Sequence, residues 1–341
     1  MARQVADVQI HAEDSDEIES YLEISVDLID DGLYLGNLAC ARDYKTLERL
    51  HITHILTIDV VPLPRTILER TNLFFCYVKM ADVPKEDLIS HLPETNNFIK
   101  QAVGDGGTVL VHCHYGVSRS AAVVIGYIME KYGLCFEEAF TLVKSKRRFV
   151  GPNVGFIAQL KLFGHMGYTL NRNDPRFKQF RLKMAGQKLK QVKILPQLFA
   201  DLVKPDPGLV RERPDPIVYR CKKCRRIVAN QSNIIPHIPK AVKVELAKKG
   251  NQSNHISRRT IRRLVPICRL MWFVEPMAWM RDVTHLPQGK LHCPKCLNKI
   301  GSFSWIMGCK CPCGQKVAPA FYLVPSKVEW SNIVQNVQRT V

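Results

Sequence analysis

Val109-Leu110-Val111-His112 is an apolar, β-branched run that ends in Cys113, and six residues later Arg119 begins a helical stretch that continues to Tyr132. An apolar run without a polar face reads as a strand buried on both sides, which requires a sheet covered by helices. The runs 52–58, 74–78 and 108–111 share this character and are bounded by polar residues or Gly. Helical length and spacing recur at 41–50, 91–103, 119–132 and 136–145, and the turn Gly151-Pro152-Asn153 precedes a last helix from Val154 to about residue 163. The alternation predicts an α/β domain over 24–170, a largely parallel sheet flanked by helices.

Beyond residue 170 the chain changes character. Residues 1–170 carry 16 Lys and Arg against 22 Asp and Glu, a balance of −6, while residues 171–341 carry 33 against 9, a balance of +24. Four of the 12 cysteines fall in the first half and eight in the second. At 341 residues the chain is too long for one ordinary domain. Residues 1–23 read as an acidic, disordered stretch, 171–216 as a basic helix and Pro-rich linker, 217–330 as a small mostly-β domain, and 331–341 as a tail. The helix is expected to lie on the first domain, and the boundary is placed where Pro205, Pro207, Gly208, Pro214 and Pro216 crowd together. No run of membrane length and no signal peptide is seen, so the expectation is a soluble intracellular protein with reduced thiols.

The loop His114-Tyr115-Gly116-Val117-Ser118, closed by Arg119, is long enough to curl so that its backbone N–H groups and the helix N-terminus converge on one point. That makes an anion nest suited to a phosphate. Arg119 can close it with a planar fork on two phosphate oxygens. The same positive field favours a Cys113 thiolate, the nucleophilic form.

The pattern His112-Cys113-x-x-Gly116-x-x-Arg119-Ser120 resembles the signature of the cysteine-based protein phosphatases, and its Gly-x-Ser-Arg-Ser ending resembles their dual-specificity branch. Asp31-Gly32-Leu33-Tyr34-Leu35-Gly36-Asn37 is similar to that family's opening strands, and Pro152-Asn153-Val154-Gly155-Phe156 begins a segment similar to its closing helix. Tyr115 stands where that family commonly has Ala. The resemblance implies that Cys113 attacks phosphorus to give a phosphocysteine and that Asp82 protonates the leaving hydroxyl, then acts as base. It further implies that Ser120 hydrogen-bonds the thiolate, while His112 and Asn153 hold the loop in shape. Asp87 and Asp59 are alternatives for the acid. Rhodanese-like sulfur transferases and arsenate reductases also place a Cys loop on an α/β sheet, but the acid loop and the Gly-x-Ser-Arg-Ser ending argue against both. Cys40, Cys76 and Cys135 read as core packing.

In the second half, Cys221-Lys222-Lys223-Cys224 and Cys293-Pro294-Lys295-Cys296 are two C-x2-C knuckles, and Cys311-Pro312-Cys313 is a third close pair. Two thiolates of one turn can reach a single zinc ion at about 2.3 Å, and zinc is the expected occupant in a reducing compartment. Two closed sites need eight donors, a count that Cys268 and His237 complete. His255, His285 and His292 compete with His237, and Cys309 competes with Cys311. Tyr219-Arg220-Cys221, Phe273-Val274-Glu275-Pro276 and the knuckles themselves resemble the zinc-binding tail of the dual specificity protein phosphatase 12 family. The resemblance implies Cys268 and His237 as ligands, two structural zinc ions, and no metal in catalysis. It leaves open how eight ligands divide between two ions.

Arg258, Arg259, Arg262 and Arg263 would form one basic face on a helix. A balance of +24 over half a chain works against compactness unless a polyanion is bound. The resembled family associates with precursors of the large ribosomal subunit, so RNA would supply it, contacted through phosphates. Two functions follow. One is a dual-specificity phosphatase acting on phosphotyrosine and phosphoserine or phosphothreonine in proteins; the other is a ribosome-assembly factor whose phosphatase activity is dispensable. Both place the protein in the cytoplasm and nucleus, with no membrane partner.

Overall fold

A computed structural model describes residues 23–209, 215–241 and 267–332. Residues 1–22, the Arg258 to Arg263 cluster, His255 and residues 333–341 of the expected tail lie outside this set. The chain divides into two units, 1–170 and 171–341.

In the first unit a hairpin of β1 (Val26–Asp30) and β2 (Leu33–Gly36) leads to two short helices, α1 (Leu38–Arg42) and α2 (Tyr44–Arg49). These replace the single helix expected at 41–50. Asp43 separates them, its carboxylate accepting from the Thr46 N–H at 3.0 Å as the N-cap of α2. Strand β3 (His54–Asp59), helix α3 (Arg65–Leu68), β4 (Phe74–Lys79), α4 (Leu92–Gly104) and β5 (Val109–His112) follow. The sheet order is β1-β2-β5-β3-β4, with β2, β5, β3 and β4 mutually parallel and β1 antiparallel at the edge.

Helix α5 (Arg119–Tyr132) leaves the end of β5 and packs against α4, α6 (Phe136–Lys146) and α7 (Val154–His165). Its residues from Arg119 to Met129 are all buried, as its nearly unbroken apolar sequence requires. The parallel strands bring the ends at Gly36, Asp59, Lys79 and His112 to one edge of the sheet, and the loops there carry the chemistry. Of the cysteines expected in the core, Cys40 is buried and Cys76 half-buried, but Cys135 is exposed. Cys135 is the N-cap of α6, its N–H donating to the Glu138 carboxylate at 2.9 Å, and that end position keeps it at the surface.

The second unit opens with α8 (Pro175–Val192) and a 3-10 helix at Gln197–Leu202. Its strands are β6 (Ile217–Cys221), β7 (Ile227–Asn230), β8 (Trp272–Phe273), β9 (Gln288–His292), β10 (Lys299–Ser304), β11 (Cys309–Lys310), β12 (Lys316–Val317), β13 (Ala320–Leu323) and β14 (Val328–Asn332). They form sheets of order β14-β6-β7 and β8-β13-β10-β9 and the pair β11-β12.

Two expectations are corrected here. Leu182, Met184, Ala185 and Leu189 of α8, with Phe199 and Leu202, are buried in the second unit's own core beside Val228, Phe273 and Trp305. The division therefore falls after Leu170 and not at the Pro-rich segment, because the basic residues of α8 flank an apolar stripe that needs cover. The tail also begins later than residue 331, since Ser331 and Asn332 pair with Val218 and Ile217 in β14 and β6.

Candidate active site and metal centres

Cys113 follows the last residue of β5 and is 2% exposed. Its Sγ accepts from the Gly116 N–H at 3.2 Å and from the Ser120 hydroxyl at 3.1 Å. Gly116 has φ +69, and a Cβ there would meet the Gly36 carbonyl oxygen at 2.4 Å and Arg147 Nη2 at 2.7 Å. Only glycine fits that turn. Beneath it, the buried His112 has Nδ1 3.4 Å from the Cys113 carbonyl oxygen and Nε2 2.8 Å from the Thr57 hydroxyl. Burial pushes its pKa down to about 4, so the ring is neutral and joins two strand ends without adding charge.

Asp82 lies on the loop after β4, where its Oδ1 accepts from the Ser118 hydroxyl at 2.6 Å and from Asn153 Nδ2 at 2.8 Å. The Asn153 N–H in turn donates to Ser118 Oγ at 3.1 Å. Asn153 also caps α7 by accepting from the Gly155 and Phe156 N–H groups. Of the two alternatives for the acid, Asp87 accepts from Ser90 in its own turn, whereas Asp59 pairs with Arg119. Arg119 also donates to the Met80 carbonyl at 3.3 Å, and among the described residues its buried Nε has no acceptor. Cys113, Arg119, Ser120, Ser118 and Asp82 are thus brought together, with His114, Tyr115, Gly116 and Val117 forming the curl between them.

Arg147 was not singled out from sequence, where Lys146-Arg147-Arg148 reads as the basic end of a helix. Its side chain is fully buried, with Nε donating to the Gly116 carbonyl at 3.0 Å, Nη2 to the Tyr115 carbonyl at 3.4 Å and Nη1 to Asp27 at 2.6 Å. By holding those carbonyls outward it turns the loop's N–H groups toward Cys113. No local signal marks it, since its acceptors lie 31 and 32 residues away.

The eight metal-ligand candidates divide into two clusters, Cys221, Cys224, Cys293 and Cys296 in one and His237, Cys268, Cys311 and Cys313 in the other. In each, the donor atoms lie within 4.8 Å of one another. The sulfurs of Cys221 and Cys296 are 3.7 Å apart, those of Cys224 and Cys293 3.5 Å, and those of Cys268 and Cys311 3.7 Å. A tetrahedron with bonds of about 2.3 Å has edges of about 3.8 Å, so both clusters have the dimensions of a tetrahedral thiolate site. The two C-x2-C turns match: the Arg225 N–H donates to the Cys221 carbonyl at 2.8 Å and the Leu297 N–H to that of Cys293 at 3.0 Å. The third turn is one residue shorter, with the Gly314 N–H on the Cys311 carbonyl at 2.8 Å. His237 Nε2 is buried with no hydrogen-bond partner among the described residues, as a metal-ligating nitrogen would be. His285, His292 and Cys309 belong to neither cluster.

A parallel sheet whose central strand ends in this cysteine loop, with an arginine at the start of the next helix, defines a cysteine-based protein phosphatase. Residues 33–166 match the family described as dual specificity phosphatase, catalytic domain. Dual specificity protein phosphatase MPK-4 of Drosophila melanogaster is 45% identical over 93% of this chain and 91% of its own length. Dual specificity protein phosphatase 12 of Mus musculus is 35% identical over 87% and 86%. The tyrosine-protein phosphatase YVH1 of Saccharomyces cerevisiae is 29% identical over 87% and 89%. The chain belongs to the dual specificity protein phosphatase 12 family, and the match spans both of its units.

Proposed function

We propose that this phosphatase hydrolyses phosphotyrosine and phosphoserine or phosphothreonine in proteins through a phosphocysteine at Cys113. The observation that carries this reading is the convergence of the Gly116 N–H and the Ser120 hydroxyl on Cys113 Sγ. Both donors stabilise negative sulfur, which favours the thiolate as nucleophile and again as leaving group when water attacks the intermediate. The loop N–H groups from His114 to Ser118 and the buried Arg119 Nε are donors for the phosphoryl oxygens, with Asp59 holding the guanidinium. Since Ser118 and Asn153 both occupy Asp82 Oδ1, Oδ2 is the oxygen that gives a proton to the leaving hydroxyl and later takes one from water.

The second unit would hold two zinc ions, one in the four-cysteine cluster and one in the three-cysteine, one-histidine cluster, each contributing folding energy. Its charge suits association with large-subunit ribosomal precursors through RNA phosphates, in the cytoplasm and nucleus. The balance of +24 also favours the second reading, an assembly factor for which hydrolysis is dispensable.

The catalytic reading is tested by kinetics. Cys113→Ser should abolish turnover with little change in stability. Asp82→Asn should slow phosphoserine hydrolysis far more than that of an activated aryl phosphate, whose leaving group needs no proton. Equal loss on both substrates would remove Asp82 from the acid's place.

A further inference from the structure

Isolated apolar side chains on a surface need no explanation, but a concentration of them around one site does. The described part of the first unit exposes twelve large apolar side chains, and six stand at the segments that build the catalytic site: Val60, Val61, Val83, Tyr115 and Phe149 on loops, and Val154 at the start of α7. Each is tied to the site by a neighbour with a known contact. Val60 and Val61 follow Asp59, the partner of Arg119. Val83 follows Asp82, and Val154 follows Asn153, which are hydrogen-bonded to each other at 2.8 Å. Tyr115 is part of the loop itself, its ring edge-on to His114 at 4.4 Å. Phe149 lies under the Arg147 guanidinium at 4.5 Å, the same group that holds the loop carbonyls. The Gly151 N–H bonds the Val117 carbonyl at 2.9 Å, fixing the Phe149 segment against the loop.

Exposure here is large: 67% for Val61, 60% for Tyr115, 56% for Phe149 and 74% for Val154. Tyr77, 41% exposed, extends the collar beside Val60, to whose carbonyl its hydroxyl donates at 2.8 Å.

We propose that this collar selects the substrate: the phosphatase prefers phosphopeptides with apolar side chains flanking the phosphorylated residue. The proposal rests on the catalytic reading above and adds the substrate class. The nest binds any phosphomonoester, so discrimination must come from what surrounds it, and burial of flanking side chains on the collar lowers the barrier for one class of peptide over another. Arg148 and Lys85 stand exposed on the same loops and give the rival outcome, a preference for acidic flanks.

The test uses the full chain with three kinds of substrate: p-nitrophenyl phosphate, and two phosphotyrosine peptides that differ only in Leu and Val or Asp and Glu flanks. A soluble short-chain phosphoinositide is run beside them. The expected result is a kcat/KM at least about ten-fold higher for the apolar peptide. Val61→Ser and Val154→Ser, combined, should cut that ratio several-fold through KM, leaving p-nitrophenyl phosphate turnover within about two-fold, since that substrate is too small to cover the collar. A higher rate on the acidic peptide, equal rates on both peptides, or preference for the phosphoinositide would overturn the collar's role. Wild-type protein that fails to turn over p-nitrophenyl phosphate would overturn the catalytic reading instead.

Discussion

Arg147 is the residue whose removal should be most informative, because it has no access to substrate and acts on the loop from behind. Its three acceptors are two carbonyls of the loop and the Asp27 carboxylate. Arg147→Met should leave the buried Gly116 carbonyl and the part-buried Tyr115 carbonyl without their donor, costing about 2 kcal/mol of stability and lowering kcat/KM at least about ten-fold. Arg147→Lys should recover part of the stability but little activity, because an ammonium cannot span the two carbonyls in one plane; urea denaturation and steady-state kinetics would separate the two effects. A second prediction at this scale concerns His112. Its native pKa, about 4, lies below the ordinary value of 6.5, so between these values the unfolded chain binds a proton that the native one refuses. The stability is thus fully present above about pH 6.5 and lost as pH falls toward 4. About 2 kcal/mol should disappear between pH 7 and pH 5, and His112→Gln should flatten that portion of the profile. Sequence made Cys113, Ser118, Arg119 and Ser120 readable because they share one loop, and Asp82 because its loop follows a strand. Arg147 and the Asp59–Arg119 pair were hidden for the opposite reason, since only the topology brings residues 31 and 60 positions apart into contact.

Among the elements, α8 teaches most. Its eighteen residues read as a basic helix lying on the first domain, yet Leu182, Met184, Ala185 and Leu189 form the stripe that closes the second unit's core. Leu182, Ala185 and Leu189 keep the i, i+3, i+7 spacing of a helical face, and the six basic side chains of the helix mask it. Strands β3 and β5 and the longer helices of the first unit were legible as apolar runs between breakers, whereas β4, read as buried, is an edge strand with only Val78 buried, and the four-residue α3 is too short to carry a period. The short pairings of the second unit, such as the two-residue strands β11 and β12, are too brief to leave a period in the sequence. The expected consequence is measurable. A fragment of residues 171–341 should be soluble, bind two zinc ions per chain by metal analysis, and lose structure with a strong chelator. A fragment starting at residue 217 lacks α8 and the 3-10 helix and should aggregate or bind metal poorly. One zinc ion per chain, or none, would contradict the pairing of the eight ligands.

For the whole molecule, the charge step and the structural division coincide, with −6 before residue 171 and +24 after it. The proposed association with ribosomal precursors should therefore need residues 171–341, be indifferent to Cys113→Ser, and weaken steeply as salt rises, because the gain from releasing counterions shrinks. Co-sedimentation of the wild type, Cys113→Ser and a 1–170 fragment over a salt series would check this, and equal binding by the 1–170 fragment would rule out the second unit's part in it. The four-cysteine cluster has a bearing on how the protein is made. It joins Cys224 to Cys293, 69 residues later, and β6, paired early with β7 on one side, gains its second neighbour only in β14, near the described end of the chain. As the ribosome delivers the polypeptide from its N-terminus, the catalytic unit is complete as soon as residue 170 emerges. The metal-binding unit must wait until β14 (Val328–Asn332) has emerged, so a product terminated before it would carry a finished phosphatase and an unclasped, aggregation-prone second half.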